Sequence, residues 1–128
     1  MVPWEDYKSH AKERGALALE LFVVRSMPTG DPEAVKLSLP DHLAYQKKLE
    51  EAGQLVMAGP VSDESGENMI GAGMILYRAK SMEEATRIAE DDPMHKSGAR
   101  SFTMRKWLVN EGSLNITVGL STGFSKLS

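Results

Sequence analysis

The chain has 128 residues, 41% hydrophobic and 26% charged, the balance of one ordinary globular domain with a real core. A net charge of −3 gives no electrostatic footprint for nucleic acid, and the absence of cysteine excludes a disulfide framework, a thiolate metal site and a thiol nucleophile. The opening MVPWEDYKSHAKERG carries early acids and no apolar run, so it does not read as a signal peptide, and no stretch approaches the roughly 20 apolar residues of a membrane span. The expected location is cytoplasmic, with neither nucleic acid nor membrane as partner.

Residues 3–14 predict a short polar helix ended by Gly15. Residues 17–25, LALELFVVR, form a near-continuous apolar run of strand length, suited to a central strand covered on both faces. Pro28, Gly30 and Pro32 then mark a turn, with a helical turn over 33–37 and a restart at Pro40. Proline suits a first helical position because the amide it lacks would have no partner there. The helix over 40–53 ends at Gly53, which can take the left-handed conformation. It puts His42, Tyr45, Leu49 and Ala52 on one stripe, beside Leu39 and Leu43.

A strand over 55–61 follows, and Gly66 and Asn68 in SDESGEN suit a hairpin loop. Residues 69–78 form the return strand, where Gly71 and Gly73 leave one face bare for something to approach the backbone. Ser81 and Glu84 make a capping box, and Met82, Ala85, Ile88 and Ala89 are the buried face of a second helix. That helix runs into Asp91-Asp92-Pro93, where the proline disfavours helical geometry in the residue before it. Phe102, Met104 and Lys106 alternate with Thr103, Arg105 and Trp107 in a fourth strand. Ile116, Val118 and Leu120 share one face of a further strand over 115–122, with FSKLS frayed beyond it.

The order strand, helix, strand, strand, helix, strand is that of a ferredoxin-like α+β fold, βαββαβ, carrying an N-terminal helix and an extra C-terminal strand. Both helices cover one sheet face. Leu19, Leu21 and Val23 oppose Phe22 and Val24, so the other face is a large apolar patch that a sheet-to-sheet homodimer removes. Three parts are expected: an N-terminal helical extension over 1–16, the ferredoxin-like domain over 17–108 and a C-terminal extension over 109–128. The extensions dock on a partner copy or build a larger homo-oligomer.

His42 is the leading acid/base candidate, since an imidazole titrates near neutral pH; the same position suits a hydrogen-bonded structural histidine. Asp92 orients that imidazole or acts as a base, or is a turn residue before proline. A helix starting at Pro40 would leave the two well over about 10 Å apart at a rise of about 1.5 Å per residue. They meet only if the helix begins earlier or a dimer brings them together. Arg25, at a strand end, holds a substrate carboxylate or is a solvated charge. The histidines and aspartates lack the spacing of a zinc helix, so no metal site is assigned. Gly71-Ala72-Gly73 lies inside a strand and is no dinucleotide fingerprint. No cofactor is expected.

HLAYQKKLEEAGQLVMAGP followed by AEDDPMHKSG resembles the YCII-related (YciI-like) family of dimeric α/β barrels, over most of the chain. The elements of the resemblance are a histidine in the first core helix, Ala-Gly-Pro ending the second strand, and Asp-Pro leading into a glycine. It implies that His42 and Asp92 form the acid/base pair and that Gly59 and Pro60 shape the pocket wall. Met94 stands where the family commonly carries an aromatic residue, as a further substrate-binding position. Characterised relatives isomerise small ring compounds or eliminate halide from chlorinated hydroxyquinols. The resemblance therefore implies a cofactor-independent lyase or isomerase for a small cyclic or phenolic metabolite; the alternative is a non-catalytic ligand-binding or accessory domain.

Overall fold

In the computed structural model, which describes residues 1–128, four long strands form one sheet: β1 (Leu19–Pro28), β2 (Leu55–Ser62), β3 (Met69–Tyr77) and β4 (Arg100–Val109). Their order is β2-β3-β1-β4, with β3 antiparallel to both β1 and β2. Between them run α2 (Pro32–Glu51), α3 (Met82–Glu90) and the short α4 (Pro93–Lys96). This is the ferredoxin-like βαββαβ arrangement.

Period-2 alternation decides which strand residues meet the helices. Phe22 and Val24 of β1 and Ile75 and Tyr77 of β3 join Leu49 of α2 and Ala85, Ile88 and Ala89 of α3 in one buried cluster. Phe102 and Met104 of β4 pack at its edge. Tyr45 ties α2 to α3 by donating its hydroxyl to Ile88 O at 2.6 Å. Burial and the nearby Asp91 and Asp92 push that phenol up to about 12. Across the sheet, Met57 and Trp107 remain 51% and 44% exposed. No helix is long and apolar enough to cross a membrane.

Two expectations change. The first core helix does not restart at Pro40. Asp31 caps it, accepting from the amides of Glu33 and Ala34, and Pro32 takes the first-turn position. Pro40 lies inside a continuous 20-residue helix. There it forfeits one backbone bond, a cost of about 3 kcal/mol or more that the rest of the helix carries. The extra C-terminal strand expected over 115–122 is present but shorter, and it lies outside the four-stranded sheet. β5 (Ile116–Val118) pairs with β6 (Ser125–Leu127) as a separate antiparallel ribbon, so the expected frayed tail is a strand. Gly119 donates to Phe124 O and Gly123, at φ +73°, donates back to Gly119 O, closing a turn where the strand was expected to continue.

The chain divides into two compact units, one of Glu20–Trp107 and one of Met1–Leu19 with Leu108–Ser128. In the latter, α1 (Trp4–Glu13) contributes Ala11 to a small cluster with Ala18 and Leu108, flanked by Trp4 and Ala16. Leu17 N–H donates to Asn110 O there.

Candidate active site

Asp92 joins local structure to chemistry. It follows α3 and caps α4, its Oδ1 accepting the Met94 amide at 2.9 Å. Its side chain is 0% exposed. His42, mid-helix on α2, sets Nδ1 at 2.8 and 2.9 Å from the two carboxylate oxygens. An ionised carboxylate can only accept, so the ring proton sits on Nδ1. The neutral imidazole then keeps its lone pair on Nε2, the arrangement of a histidine oriented for proton transfer. The two residues meet within one chain because α2 begins at Pro32, eight positions before the expected start.

His42 lines a cavity of about 360 Å³, near the lower end of the roughly 300–1,000 Å³ common for small-molecule sites. Leu39 and Leu43 of α2 form one wall, and Ala58, Gly59 and Pro60 of β2 another, with Met94 of α4 beneath. Gly59, Pro60 and Met94 thus border the cavity with His42. Arg25 does not. Strand alternation turns the buried Ser26 toward the cavity and leaves Arg25 exposed, paired across to Met74. A side chain in the last half of β1 reaches solvent on one parity and the site on the other.

A second polar group was not anticipated. Arg100, the first residue of β4, shares the inward parity of Phe102 and Met104 and lines the cavity. Its Nε donates to Ser26 Oγ at 2.8 Å, and its Nη2 donates to Ser26 O at 2.9 Å and also to Gly71 O. Ser26 is 3% exposed and lies 2.8 Å from His95 Nε2. His95 Nδ1 donates to Ala89 O at 2.7 Å, since a carbonyl can only accept, and in the neutral ring Nε2 accepts the serine proton. Burial pulls the imidazole below its ordinary value, outweighing the hydrogen bond to Ala89 and the charge of Asp92. Phe102 packs on that ring at 4.7 Å between centroids.

Two glycines of β3 lie beside the arginine. Gly71 has φ +88°, and a Cβ there would meet Pro28 Cγ at 3.0 Å. The approach expected over the bare face of Gly71 and Gly73 is made by Arg100, whose Nη2 lies 3.7 Å from where a Gly73 Cβ would stand. The signal in the sequence was an arginine in phase with two apolar, partly buried strand residues.

The YCII-related domain model matches residues 20–108. The uncharacterized protein YjpA of Bacillus subtilis (strain 168) is 33% identical over 66 residues, 52% of this chain and 71% of that protein. Among solved structures, the 5-chloro-2-hydroxyhydroquinone dehydrochlorinase TftG of Burkholderia phenoliruptrix AC1100, in complex with 2,5-dihydroxybenzoquinone, aligns with a TM-score of 0.54 at 21% identity, covering 70% of this chain and 93% of that one. A dimeric ferredoxin-like protein from an uncultured marine organism aligns with a TM-score of 0.46 at 11% identity, covering 73% and 98%. At 21% identity the likeness to TftG is one of fold.

Proposed function

The chain belongs to the YCII-related domain family, and from that membership we propose that it is a cofactor-independent acid/base enzyme of the lyase or isomerase type, acting on a small cyclic or phenolic metabolite. The observation that carries the reading is the His42–Asp92 pair at the cavity: Nδ1 is held by a fully buried carboxylate and Nε2 has no protein partner. In the reaction, Nε2 takes a proton from a ring hydroxyl or an acidic ring carbon, and Asp92 stabilises the imidazolium that forms. The same nitrogen returns the proton at a second position for isomerisation, or electrons move out to expel a leaving group for elimination. Met94, Gly59 and Pro60 shape the space around the ring. The fold neighbour TftG, named for dehydrochlorination of a hydroxylated ring, gives the first substrate class to try.

The assembly proposed with it is a homodimer, or a higher homo-oligomer, packed through the sheet face that carries the exposed Met57 and Trp107. Removing such side chains from water stabilises association by about 25 cal/mol per Å². We propose further that the segments 1–16 and 109–128, which fall in one compact unit, serve assembly. Met57→Glu should give a monomer in sedimentation velocity; an unchanged oligomer would reject that face.

The test of the chemistry is turnover of chlorinated and unchlorinated hydroxyhydroquinones by the wild-type protein and by His42→Asn. A positioned acid/base group contributes about 10² to 10⁴ in rate, so turnover should fall by that order with ligand binding retained. Undiminished turnover in His42→Asn would remove His42 from the mechanism. Ring compounds bound without turnover would make the protein a ligand-binding module.

A further inference from the structure

Arg100 carries an unneutralised charge at the cavity. Its bonds go to a serine hydroxyl and two backbone carbonyls, none of them anionic. The carboxylate that acts on it electrostatically, Asp92, is bonded to His42 and Met94. His95, behind Ser26, is neutral and adds no charge of its own. Burial makes the guanidinium harder to keep protonated, although arginine stays charged at any working pH. A half-buried cation without a counter-ion calls for one from the ligand.

The hydrogen bonds also limit what that anion can be. An arginine binds a carboxylate with two parallel bonds only through an edge that includes Nη2. Here both protons of Nη2 are taken, by Ser26 O and Gly71 O, and the Nε proton is taken by Ser26 Oγ. Nη1 alone has no protein partner. The two-pronged carboxylate grip is therefore blocked, and one oxygen atom of concentrated charge can be met.

We propose that Arg100 is the anion-binding residue of this cavity and that it selects a ring carrying a single ionised hydroxyl, a phenolate or enolate, over a carboxylate. Ser26 is the positioning residue that fixes the guanidinium, and the neutral His95 fixes Ser26. The proposal rests on the small-ring reading above and sharpens it. One ring oxygen lies ionised at Nη1 while His42 works on another proton of the same ring. The charge that builds on the ring when His42 removes a proton then faces a fixed cation.

The probe is 4-nitrophenol, whose phenolate absorbs where the phenol does not and which ionises near neutral pH, with benzoate as the carboxylate competitor. Wild-type protein should bind the phenolate, lower the apparent pKa of the bound probe, and prefer it to benzoate. Arg100→Gln should weaken phenolate binding about tenfold to a hundredfold, the value of a charge-assisted hydrogen bond, and abolish the pKa shift. Arg100→Lys restores the charge and should recover part of the shift, which separates lost charge from a damaged fold. No binding, an unshifted probe, a shift that survives in Arg100→Gln, or a preference for benzoate overturns the proposal. Loss of turnover evidence for His42 with the shift preserved would reject the enzyme and keep the anion site; the reverse pattern would reject the anion site alone.

Discussion

Removing His42 should expose how much the fold depends on it. Asp92 has no solvent contact, and its donors are few: Oδ1 takes the Met94 amide and shares the His42 proton, while Oδ2 has His42 alone. His42→Ala strands Oδ2 in the interior. Losing one partner of a charged hydrogen bond costs about 1.5–3 kcal/mol, and breaking a buried pair costs about 3–5 kcal/mol. The histidine side chain is 16% exposed, so some water reaches the gap and the lower of the two ranges applies, about 1.5–3 kcal/mol. That is a large share of a domain stability of about 5–15 kcal/mol. Asparagine can place its amide nitrogen near the position of the imidazole Nδ1, so His42→Asn should cost less than about 1 kcal/mol. Urea denaturation with matched m-values measures both variants and shows whether the transition stays two-state. Equal stability of His42→Ala and wild type, within about 0.5 kcal/mol, would mean that Asp92 does not need the imidazole and that the pairing is incidental. Activity loss in the alanine variant alone says little about chemistry, because fold and proton transfer fall together; asparagine separates them.

Other consequences follow from single contacts. His95 is held below its ordinary value of 6.5, so the unfolded chain takes up a proton that the native state resists. Melting temperature should therefore drop as pH falls below about 6.5, and His95→Asn, which can still donate to Ala89 O, should flatten that drop. Asp63, held at about 2 by Ser65 and Asn68 against an ordinary 3.8, loses its contribution only in the more acid window. The Tyr77 hydroxyl is buried without a partner, whereas that of Tyr45 is bonded to Ile88 O. Tyr77→Phe should leave stability equal or higher, and Tyr45→Phe should lower it by about 1 kcal/mol in the same denaturation assay; the opposite order would refute the assignment. Gly71→Ala should cost at least about 1 kcal/mol, since a positive φ and Pro28 both oppose a side chain there, and it should weaken nitrophenolate binding by shifting the carbonyl that holds Arg100.

Strand and helix order could be read because it rests on short-range patterns. Phe102 and Met104 in phase, Ser81 three residues ahead of Glu84, and Gly53 behind a helical stripe each act within a turn or two. The two failures were choices between competing local signals. Asp31-Pro32-Glu33 is a cap, a first-turn proline and a first-turn acid, a better helix start than Pro40, whose preceding Leu39 cannot cap. In the tail, Gly119 and Gly123 make a turn within a stretch whose apolar alternation suggested a strand. Arg25 and Arg100 show what alternation does settle once the register is known. Arg100 opens β4 in phase with the partly buried Phe102 and Met104, whereas Arg25, three residues before the end of β1, is on the parity opposite to Ser26 and the cavity.

What the sequence could not display is the double use of Asp92. A four-residue helix has little stability of its own, because nucleation uses up most of what so short a segment gains. Its N-cap is therefore a structural necessity, and the same carboxylate is the acceptor for His42. Formation of α4 thus uses the same carboxylate that orients His42. That coupling has a consequence for Asp92→Asn. Its side-chain oxygen can still cap the Met94 amide, so α4 should persist, while the amide nitrogen turned toward His42 Nδ1 would force the imidazole proton onto Nε2. The lone pair would then face the wrong way, and the base would be silenced with the helix in place. Amide exchange at residues 94–97 should stay protected while turnover falls as far as in His42→Asn; unprotected amides there would mean that the cap, and not the tautomer, was lost.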